Sequence, residues 1–235
     1  PLQSLNYTYN ELISAEKDAL IFTDANWTLF ASYLLQYGKG LFNDKKVIFS
    51  ALMLTPFSMN ELTEELGIPE FKDADPEFYK SKTPTMTFAN EMKKRIEHIA
   101  KYTKRPIYIS VSTNEAVKNL LKDHLYGEGL LMRYSSKPYD NLAVMRRNFE
   151  NTYLLDYLYE TFYPETLTDV CLDLKGVKML SIYYVPAFKS LLQFYKESGD
   201  VTHYDKLYSL LESIVKRADY YSDEVRERYL KSINF

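Results

Sequence analysis

The stretch Ala19–Thr23 has the sequence ALIFT, an apolar run that is polar only at its closing threonine. Short runs of this kind, rich in β-branched and aromatic residues, are typical of strands buried on both faces. Similar runs follow at Lys46–Met53 (KVIFSALM), Ile107–Val111 (IYISV) and Gly129–Tyr134 (GLLMRY), and we place the last at an edge. Because helical stretches separate these runs, the pattern predicts an α/β fold with a small parallel, Rossmann-like sheet of three or four strands flanked by helices.

The helices between the strands are predicted from apolar spacing and from capping residues. A Ser-x-x-Glu capping box at Ser58 and Glu61 is predicted to open one helix, and a second box at Ser112 and Glu115 another. The second of these helices is predicted to reach Leu125. The first crossover helix is predicted from five apolar residues at helical spacing, which are Phe30, Tyr33, Leu34, Tyr37 and Leu41.

Beyond Ser135 the sequence has helical rather than strand periodicity, so we divide the chain into an α/β domain, 1–137, and a helical region, 138–235. A turn at residues 198–200 is predicted to join two amphipathic helices into a tetratricopeptide-like hairpin, an all-α tail to the sheet. Pro186 is expected to kink its helix or to delay its start. The helices predicted here are Asp140–Phe162, Val177–Glu197, Thr202–Ala218 and Ser222–Ile233.

Composition restricts the classes of partner and cofactor. The 235 residues include 46% hydrophobic and 26% charged residues, which are globular values, and the net charge is -3. That charge gives no reason to expect nucleic acid, and the basic stretch 93–105 is interpreted as a solvated helix face. No apolar stretch approaches the ~20 residues of a membrane helix, so we expect a soluble chain. Because Cys171 is the single cysteine, an internal disulfide and a cysteine-based metal site are excluded.

Known catalytic and cofactor motifs are missing from the sequence. With 7 glycines the chain contains neither a P-loop nor a dinucleotide fingerprint. His98, His124 and His203 fall in separate predicted helices without a partner at ligand spacing, and no nucleophile elbow is present. We therefore expect no cofactor, no metal and no catalytic set in this chain.

The strand ends suggest one place for a ligand. In open parallel sheets, ligands bind beyond the carboxyl ends of the strands, where helix N-termini converge. Helix capping by itself explains most of the polar residues there, so a ligand crevice is the alternative interpretation. The candidate crevice residues are Asp24, Asn26, Ser58, Ser112 and Asn114.

Several short motifs occur in an order that resembles a known family. The motifs are Asp18–Thr23, Phe30, Leu34–Gln36, Val47–Ile48, Arg105–Tyr108, Glu128–Arg133, Tyr139–Asn141 and Met179–Ser181. Together they resemble the soluble C-terminal region of a Bacteroidetes-type membrane-protein family related to protein O-mannosyltransferases. The resemblance implies an extracytoplasmic α/β region with tetratricopeptide-like helices, attached to a multi-spanning glycosyltransferase-like half. The chain begins at Pro1, and we expect a leader or membrane region upstream.

One loop departs from that family. Its members follow the first strand with Asn-Gly-Asp-Asn-Asp-Thr, whereas this chain has Asp24–Leu29 (DANWTL), with one acidic residue and no glycine. An ion or sugar contact made by that loop is therefore not expected to carry over.

Three hypotheses for function follow. The leading one is a non-catalytic, extracytoplasmic (periplasmic) interaction module that binds a polypeptide or glycan, with a membrane-embedded glycosyltransferase half as a further partner. The alternative is a small-ligand binder or enzyme that uses the crevice at the strand ends. The third is a homodimer built through the aromatic helices.

Overall fold

The computed structural model describes residues 2–72, 84–158, 180–217 and 222–233, which are mostly helical around one open five-stranded sheet. The strands are β1 (Leu20–Thr23), β2 (Lys46–Phe49), β3 (Ile107–Ser110), β4 (Leu125–Gly127) and β5 (Leu131–Tyr134). The helices are α1 (Leu2–Ser14), α2 (Asn26–Tyr33), α3 (Ser50–Met53), α4 (Pro56–Leu66), α5 (Pro84–Tyr102), α6 (Glu115–Leu121), α7 (Asn141–Arg147), α8 (Val185–Ser198), α9 (Val201–Arg217) and α10 (Asp223–Ile233). Cys171 lies outside the described residues.

The chain forms two compact units. The sheet unit comprises Ala15–Tyr126 and Leu131–Tyr139, and the helical unit comprises Pro1–Ser14, Gly127–Leu130 and Asp140–Phe235. Compactness does not test which segments fold independently. The division at residue 137 therefore stays a prediction.

The sheet has the strand order β2-β1-β3-β5-β4. β1 pairs in parallel with β2 on one side and with β3 on the other, and every residue of β1 is buried. This core of three parallel strands was predicted from the sequence. The prediction of a wholly parallel sheet was wrong, because β5 runs antiparallel to β3, with Ile109 opposite Met132.

A short connection requires β4 and β5 to run antiparallel to each other. Three residues, 128–130, join β4 to β5, whereas a crossover between parallel strands needs a dozen or more residues. The predicted fourth strand, β5, lies inside the sheet between β3 and β4, and the unpredicted β4 lies at the edge. The helix predicted to reach Leu125 ends at Leu121, and Leu125 begins β4.

The second predicted strand is also shorter than expected. β2 ends at Phe49, and Ser50 begins the helical turn α3. The Ser50 hydroxyl donates a hydrogen bond to the Thr23 carbonyl at 3.2 Å. This bond holds the helical turn α3 against the end of β1. The apolar residues after Ser50 are helical, although their sequence resembles a strand.

The core of the sheet unit covers the face of the sheet that carries Leu20, Phe22 and Ile48. The alternate residues Ile21 and Tyr108 point to the other face and are also fully buried. The buried residues that α4, α5 and α6 contribute to the core are Met59, Leu62, Ala89, Met92, Ile96, Ile99, Val117 and Leu121.

An ion pair lies inside this apolar region, on a helix face interpreted from the sequence as solvated. Arg95 is 1% exposed, and its guanidinium donates hydrogen bonds to the carboxylate and the carbonyl of Glu91, which is equally buried. The guanidinium also lies 4.8 Å from the centre of the Phe71 ring. Burial acts to raise the pKa of Glu91, but the hydrogen bonds and charges of Lys94 and Arg95 outweigh it and lower the pKa.

The helical unit corrects one predicted helix. The segment Asp140–Phe162 is not one helix, because α7 passes into a π-helical turn, Asn148–Thr152, and the helix then ends. The Asn10 amide explains the break, since it accepts a hydrogen bond from the Leu154 N–H at 2.8 Å and donates to the Leu154 carbonyl at 2.9 Å. Residues 159–162 lie outside the described part of the chain.

Tyrosine side chains fill the interior of the helical unit. The hydroxyls of Tyr157 and Tyr184 lie 2.9 Å apart, and Asn10 donates a hydrogen bond to Tyr184 at 2.7 Å. Tyr153 accepts a hydrogen bond from the Leu130 N–H, and its burial raises its pKa to about 12. α8 begins at Val185 with Pro186 in its first turn, directly after the 3-10 helix Ser181–Tyr184. The predicted start of this helix, residues 177–179, lies outside the described part of the chain. α8 and α9 then pack on each other through two sets of buried residues, Leu191, Leu192 and Tyr195 on α8 and Leu207, Leu211 and Ile214 on α9.

Removing the Glu91 charge is expected to destabilise the chain strongly. Glu91→Gln leaves the Arg95 guanidinium buried without its counter-ion, which costs about 3–5 kcal/mol in comparable cases. The matched control is Glu97→Gln, because Glu97 pairs with Lys93 at 3.7 Å while both side chains are partly exposed, and it should cost less than about 1 kcal/mol. Urea denaturation at pH 7 measures the free energy of unfolding of both variants. Equal losses would show that the buried Glu91–Arg95 pair stabilises the chain no more than the Glu97–Lys93 pair does.

Candidate functional site

Three of the five predicted crevice residues lie together beyond β1 and β3. The Asp24 carboxylate accepts a hydrogen bond from the backbone N–H of Asn114 at 2.7 Å. The hydroxyl of Ser112 lies 3.3 Å from that of Thr23 and 2.8 Å from that of Ser110. The carboxyl ends of the two parallel strands therefore carry one carboxylate beside a row of hydroxyl groups.

The other two predicted residues do not join this cluster through a hydrogen bond in the described structure. Asn26 is the exposed first residue of α2. Ser58 lies in the first turn of α4, where its N–H and its hydroxyl both bond to the Thr55 hydroxyl, at 3.3 Å and 3.0 Å. Whether any of the five residues binds a ligand stays a prediction.

Both predicted capping boxes were assigned to the wrong residue. Thr55 caps α4 ahead of Pro56, and Asn114 caps α6, accepting a hydrogen bond from the Ala116 N–H at 2.8 Å. Proline favours the first helical position, so the residue before it becomes the cap. Ser58 and Ser112 lie close to the capping residues in the sequence and are not themselves the N-caps.

Asp24 keeps one unused acceptor. Its Oδ1 atom is buried and has no hydrogen-bond partner among the described residues, while the other carboxylate oxygen accepts from Asn114. Buried acceptors of this kind are rare in folded proteins and need an explanation. A bound donor group would supply one.

α2 and the π-helical segment after it, Leu34–Gly38, present their apolar side to solvent. The predicted apolar residues of this crossover lie outside, with Phe30 63%, Leu34 58% and Tyr37 84% exposed. We call the following five residues the aromatic ridge: Phe30, Tyr33, Leu34, Tyr37 and Leu41. All five are exposed, which reverses the expectation that this helix sheathes the sheet with its apolar side.

The inward side of the same helix carries three polar residues beside Ala31 and Leu35. Thr28 and Ser32 are fully buried, and Gln36 is nearly so. Ser32 donates a hydrogen bond to the Leu29 carbonyl at 2.7 Å, and Gln36 donates two, to the carbonyls of Phe42 and Lys45. Because these groups are satisfied inside, the helix is stable with its polar side turned inward.

A cleft of about 620 Å³ lies beside the ridge, at the amino ends of the parallel strands. It is opposite to the predicted crevice, since Asp18, Lys45 and Arg105 precede β1, β2 and β3. Arg105 donates a hydrogen bond to the Asp18 carbonyl at 2.6 Å. Asp18 and Phe42 have φ values of 59° and 58°, and are the described non-glycine residues with left-handed backbone.

Both lysines of this cleft pair with carboxylates. Lys45 lies 3.1 Å from Asp44, and Lys46 lies 2.6 Å from Glu65. Burial acts to raise the pKa of Asp44, but the hydrogen bond and charge of Lys45 lower it overall. The exposed apolar surface in the cleft belongs to Tyr33 and Tyr37, whose ring centres are 5.8 Å apart.

A second groove, of about 280 Å³, follows the outer side of β2. Leu29 and Tyr33 of α2 line it, together with residues of β2, α3 and α4. Ser58 is among these, so this predicted crevice residue belongs to the edge of the sheet. Sequence reasoning missed the groove because edge position depends on which strands pair.

Comparison with known proteins finds no family model, no curated protein and no solved structure that matches this chain. The described residues contain no group of three or more histidine, cysteine, aspartate or glutamate residues arranged to hold a metal ion. Within the same ranges, every helix is too short or too polar to cross a bilayer.

The ridge is expected to tolerate polar substitution. Phe30→Ser and Tyr37→Ser remove side chains that face water, so each should change the free energy of unfolding by less than about 0.5 kcal/mol. Leu35→Ala is the contrasting variant, because Leu35 is the buried neighbour of the ridge residue Leu34, and truncating a buried leucine costs about 2–5 kcal/mol. Urea denaturation tests this, and a large loss in Phe30→Ser or Tyr37→Ser would show that the ridge is buried.

Proposed function

We propose that this chain is a non-catalytic interaction module that binds a polypeptide partner through the aromatic ridge. The observation that carries the proposal is the reversed orientation of α2, with satisfied polar residues inside and large apolar residues outside. Clustered apolar exposure of this kind is typical of protein-binding surfaces. Five of the exposed large hydrophobic residues among the described ranges fall within residues 30–41.

The composition of the ridge favours a polypeptide over a glycan. Leu34 and Leu41 are aliphatic and well exposed, and burying such side chains against another apolar surface stabilises a complex by the hydrophobic effect. Phe30 likewise has no polar group to bond a sugar hydroxyl. Tyr33 and Tyr37 fit either partner, so a glycan remains the second partner class to test.

The proposed setting rests on the resemblance described from the sequence. We propose that the module is extracytoplasmic and acts beside a membrane-embedded glycosyltransferase half, with α8 and α9 as its tetratricopeptide-like hairpin. The gene upstream of the Pro1 codon tests the setting. Several encoded hydrophobic spans would support it, whereas a lone cleavable leader would favour a secreted relative.

Binding through the ridge is tested with a displayed library of random peptides. Peptides selected on the wild-type chain should bind the double variant Phe30→Ser/Tyr37→Ser at least ten-fold more weakly, because it lacks the two most exposed aromatic side chains of the ridge. The matched control is Met86→Ser/Val201→Ser, which removes exposed apolar residues elsewhere. Fluorescence anisotropy with labelled peptides gives the dissociation constants.

Three results bear against the proposal. Equal affinity for both double variants would place binding away from the ridge. Selection of ridge-dependent ligands from a glycan array, with none from the peptide library, would replace the polypeptide by a glycan. Transfer of sugar from an activated donor by the purified chain would show that the module is catalytic.

A second candidate function is small-ligand binding at the Asp24 cluster. The buried, unpartnered Oδ1 atom of Asp24 favours it, because a ligand hydroxyl, ammonium or cation would satisfy that oxygen. The neighbouring hydroxyls of Thr23 and Ser112 would add polar contacts.

Thermal unfolding separates this second candidate from the first. A sugar, nucleotide sugar or divalent cation that binds the folded chain should raise its melting temperature, by an amount that grows with ligand concentration. Asp24→Asn should abolish the rise, whereas Asn26→Ala at the exposed helix start should preserve it. No shift across the panel would remove the crevice as a ligand site.

A further inference from the structure

Strand β2 leaves one side of its backbone unpaired in the described sheet. It stands at the end of the strand order, with β1 as its neighbour there. The Lys46 N–H donates to the Ala19 carbonyl at 2.9 Å. Since peptide groups alternate between the two sides of a strand, those of Lys46 and Ile48 face β1, whereas the N–H and carbonyl of Val47 and the N–H of Phe49 face outward. The Phe49 carbonyl is not available, because Phe49 is the N-cap of α3 and its carbonyl accepts the first bond of that helix.

Apolar side chains of two helices line the groove along this edge. Leu29 and Tyr33 belong to α2, and Leu52 and Met53 belong to α3. Leu52 is 53% exposed. Natural edge strands are commonly protected from pairing by a covering loop or by inward charges, whereas this edge has no strand partner among the described residues and is flanked by apolar side chains.

The rim of the groove is acidic. Glu61 and Glu65 of α4 line it, and α4 contains a third glutamate, Glu64, and no basic residue. Lys46 pairs with Glu65. Glu61 is exposed on the rim and available to a cationic side chain.

We propose that the β2 edge binds an extended segment of another polypeptide as a sixth strand, with alternating apolar and basic side chains. Its backbone would bond to the outward N–H and carbonyl of Val47 and to the N–H of Phe49, which gives affinity, and its side chains would give specificity. The apolar residues would contact Leu29 and Tyr33. The basic residues would lay their aliphatic stems on Leu52 and place their charges at Glu61.

Charge opposes a second copy of this chain as the occupant. An antiparallel β2–β2 pairing has a two-fold axis perpendicular to the sheet, which puts both α4 helices on the same face. The glutamates of the two helices would then approach each other. A basic segment of a different protein meets the same rim with opposite charge.

The inference rests on the proposed polypeptide-binding function and specifies the partner. It is tested with an eight-residue peptide of alternating valine and lysine, blocked at both ends, whose binding is measured by fluorescence anisotropy. The peptide should bind at least ten-fold more tightly than an alternating valine–glutamate peptide. N-methylation of alternate backbone nitrogens on one edge should weaken its binding at least ten-fold, because the side chains are unchanged while the pairing N–H groups are lost.

Two variants of the chain locate the site. Val47→Pro removes an outward N–H while leaving the bonds to β1, and edge strands tolerate proline at such positions, so it should abolish binding. Glu61→Lys should reverse the preference between the lysine and glutamate peptides. It leaves the backbone of β2 unchanged, so it still tests the site if Val47→Pro fails to fold. Glu70→Lys, an exposed change away from the groove, is the matched control.

The outcomes separate this inference from the proposed function. If library peptides bind through the ridge while the valine–lysine peptide does not bind, the strand-addition inference is wrong and the interaction module stands. If neither the library peptides nor the valine–lysine peptide binds, the proposed function and the strand-addition inference are both wrong. A dimer in light scattering that Val47→Pro converts to a monomer would overturn the inference by making a second copy the occupant.

Discussion

Complete burial of β1 is the constraint on which the sheet unit depends. Leu20 to Thr23 are all fully buried, so each peptide group in the strand must find a protein partner. β2 and β3 supply those partners from the two sides, in parallel. The apolar side chains of the strand each contribute about 1.5–3 kcal/mol if both faces of the sheet are covered. The positions of β2, β3 and the flanking helices follow from these two requirements.

In the described sheet β1 lies between β2 and β3, β2 is an edge strand, and α2 is the helix that connects β1 to β2. A connecting helix usually turns its apolar side to the sheet, yet here Thr28, Ser32 and Gln36 share the inward side with Ala31 and Leu35. Ser32 and Gln36 stay there because backbone carbonyls nearby accept their hydrogen bonds. The larger apolar residues are left to solvent, which weakens the isolated chain little but leaves a surface that a partner can cover.

The two edges of the sheet are built differently. On one side the connection at 128–130 folds β4 back beside β5, and Ser135 donates a hydrogen bond to the His124 carbonyl at 2.8 Å. On the other side β2 ends in the short turn α3, and the acidic helix α4 follows. An unpaired strand edge, apolar side chains and negative charge therefore occur together at β2 in the described sheet.

Local sequence determined where regular structure occurs. The run ALIFT is a strand, Gly67 and Gly199 end helices in the left-handed conformation, and Pro186 lies in the first turn of α8. These features depend on residues a few positions apart, and their periodicity or backbone preference is visible in the sequence. The closeness of Asp24 and Asn114 also follows from parallel strands ending at one edge.

Tertiary structure decided which face of each element is buried, which strand is an edge, and where polar groups find partners. The apolar and polar sides of α2 are both visible in the sequence, but their orientation is not. The break after Thr152 depends on Asn10, 144 positions from Leu154, and the burial of Arg95 depends on Glu91 and Phe71 together. Such outcomes are set by contacts between distant segments, whose free energies local patterns do not contain.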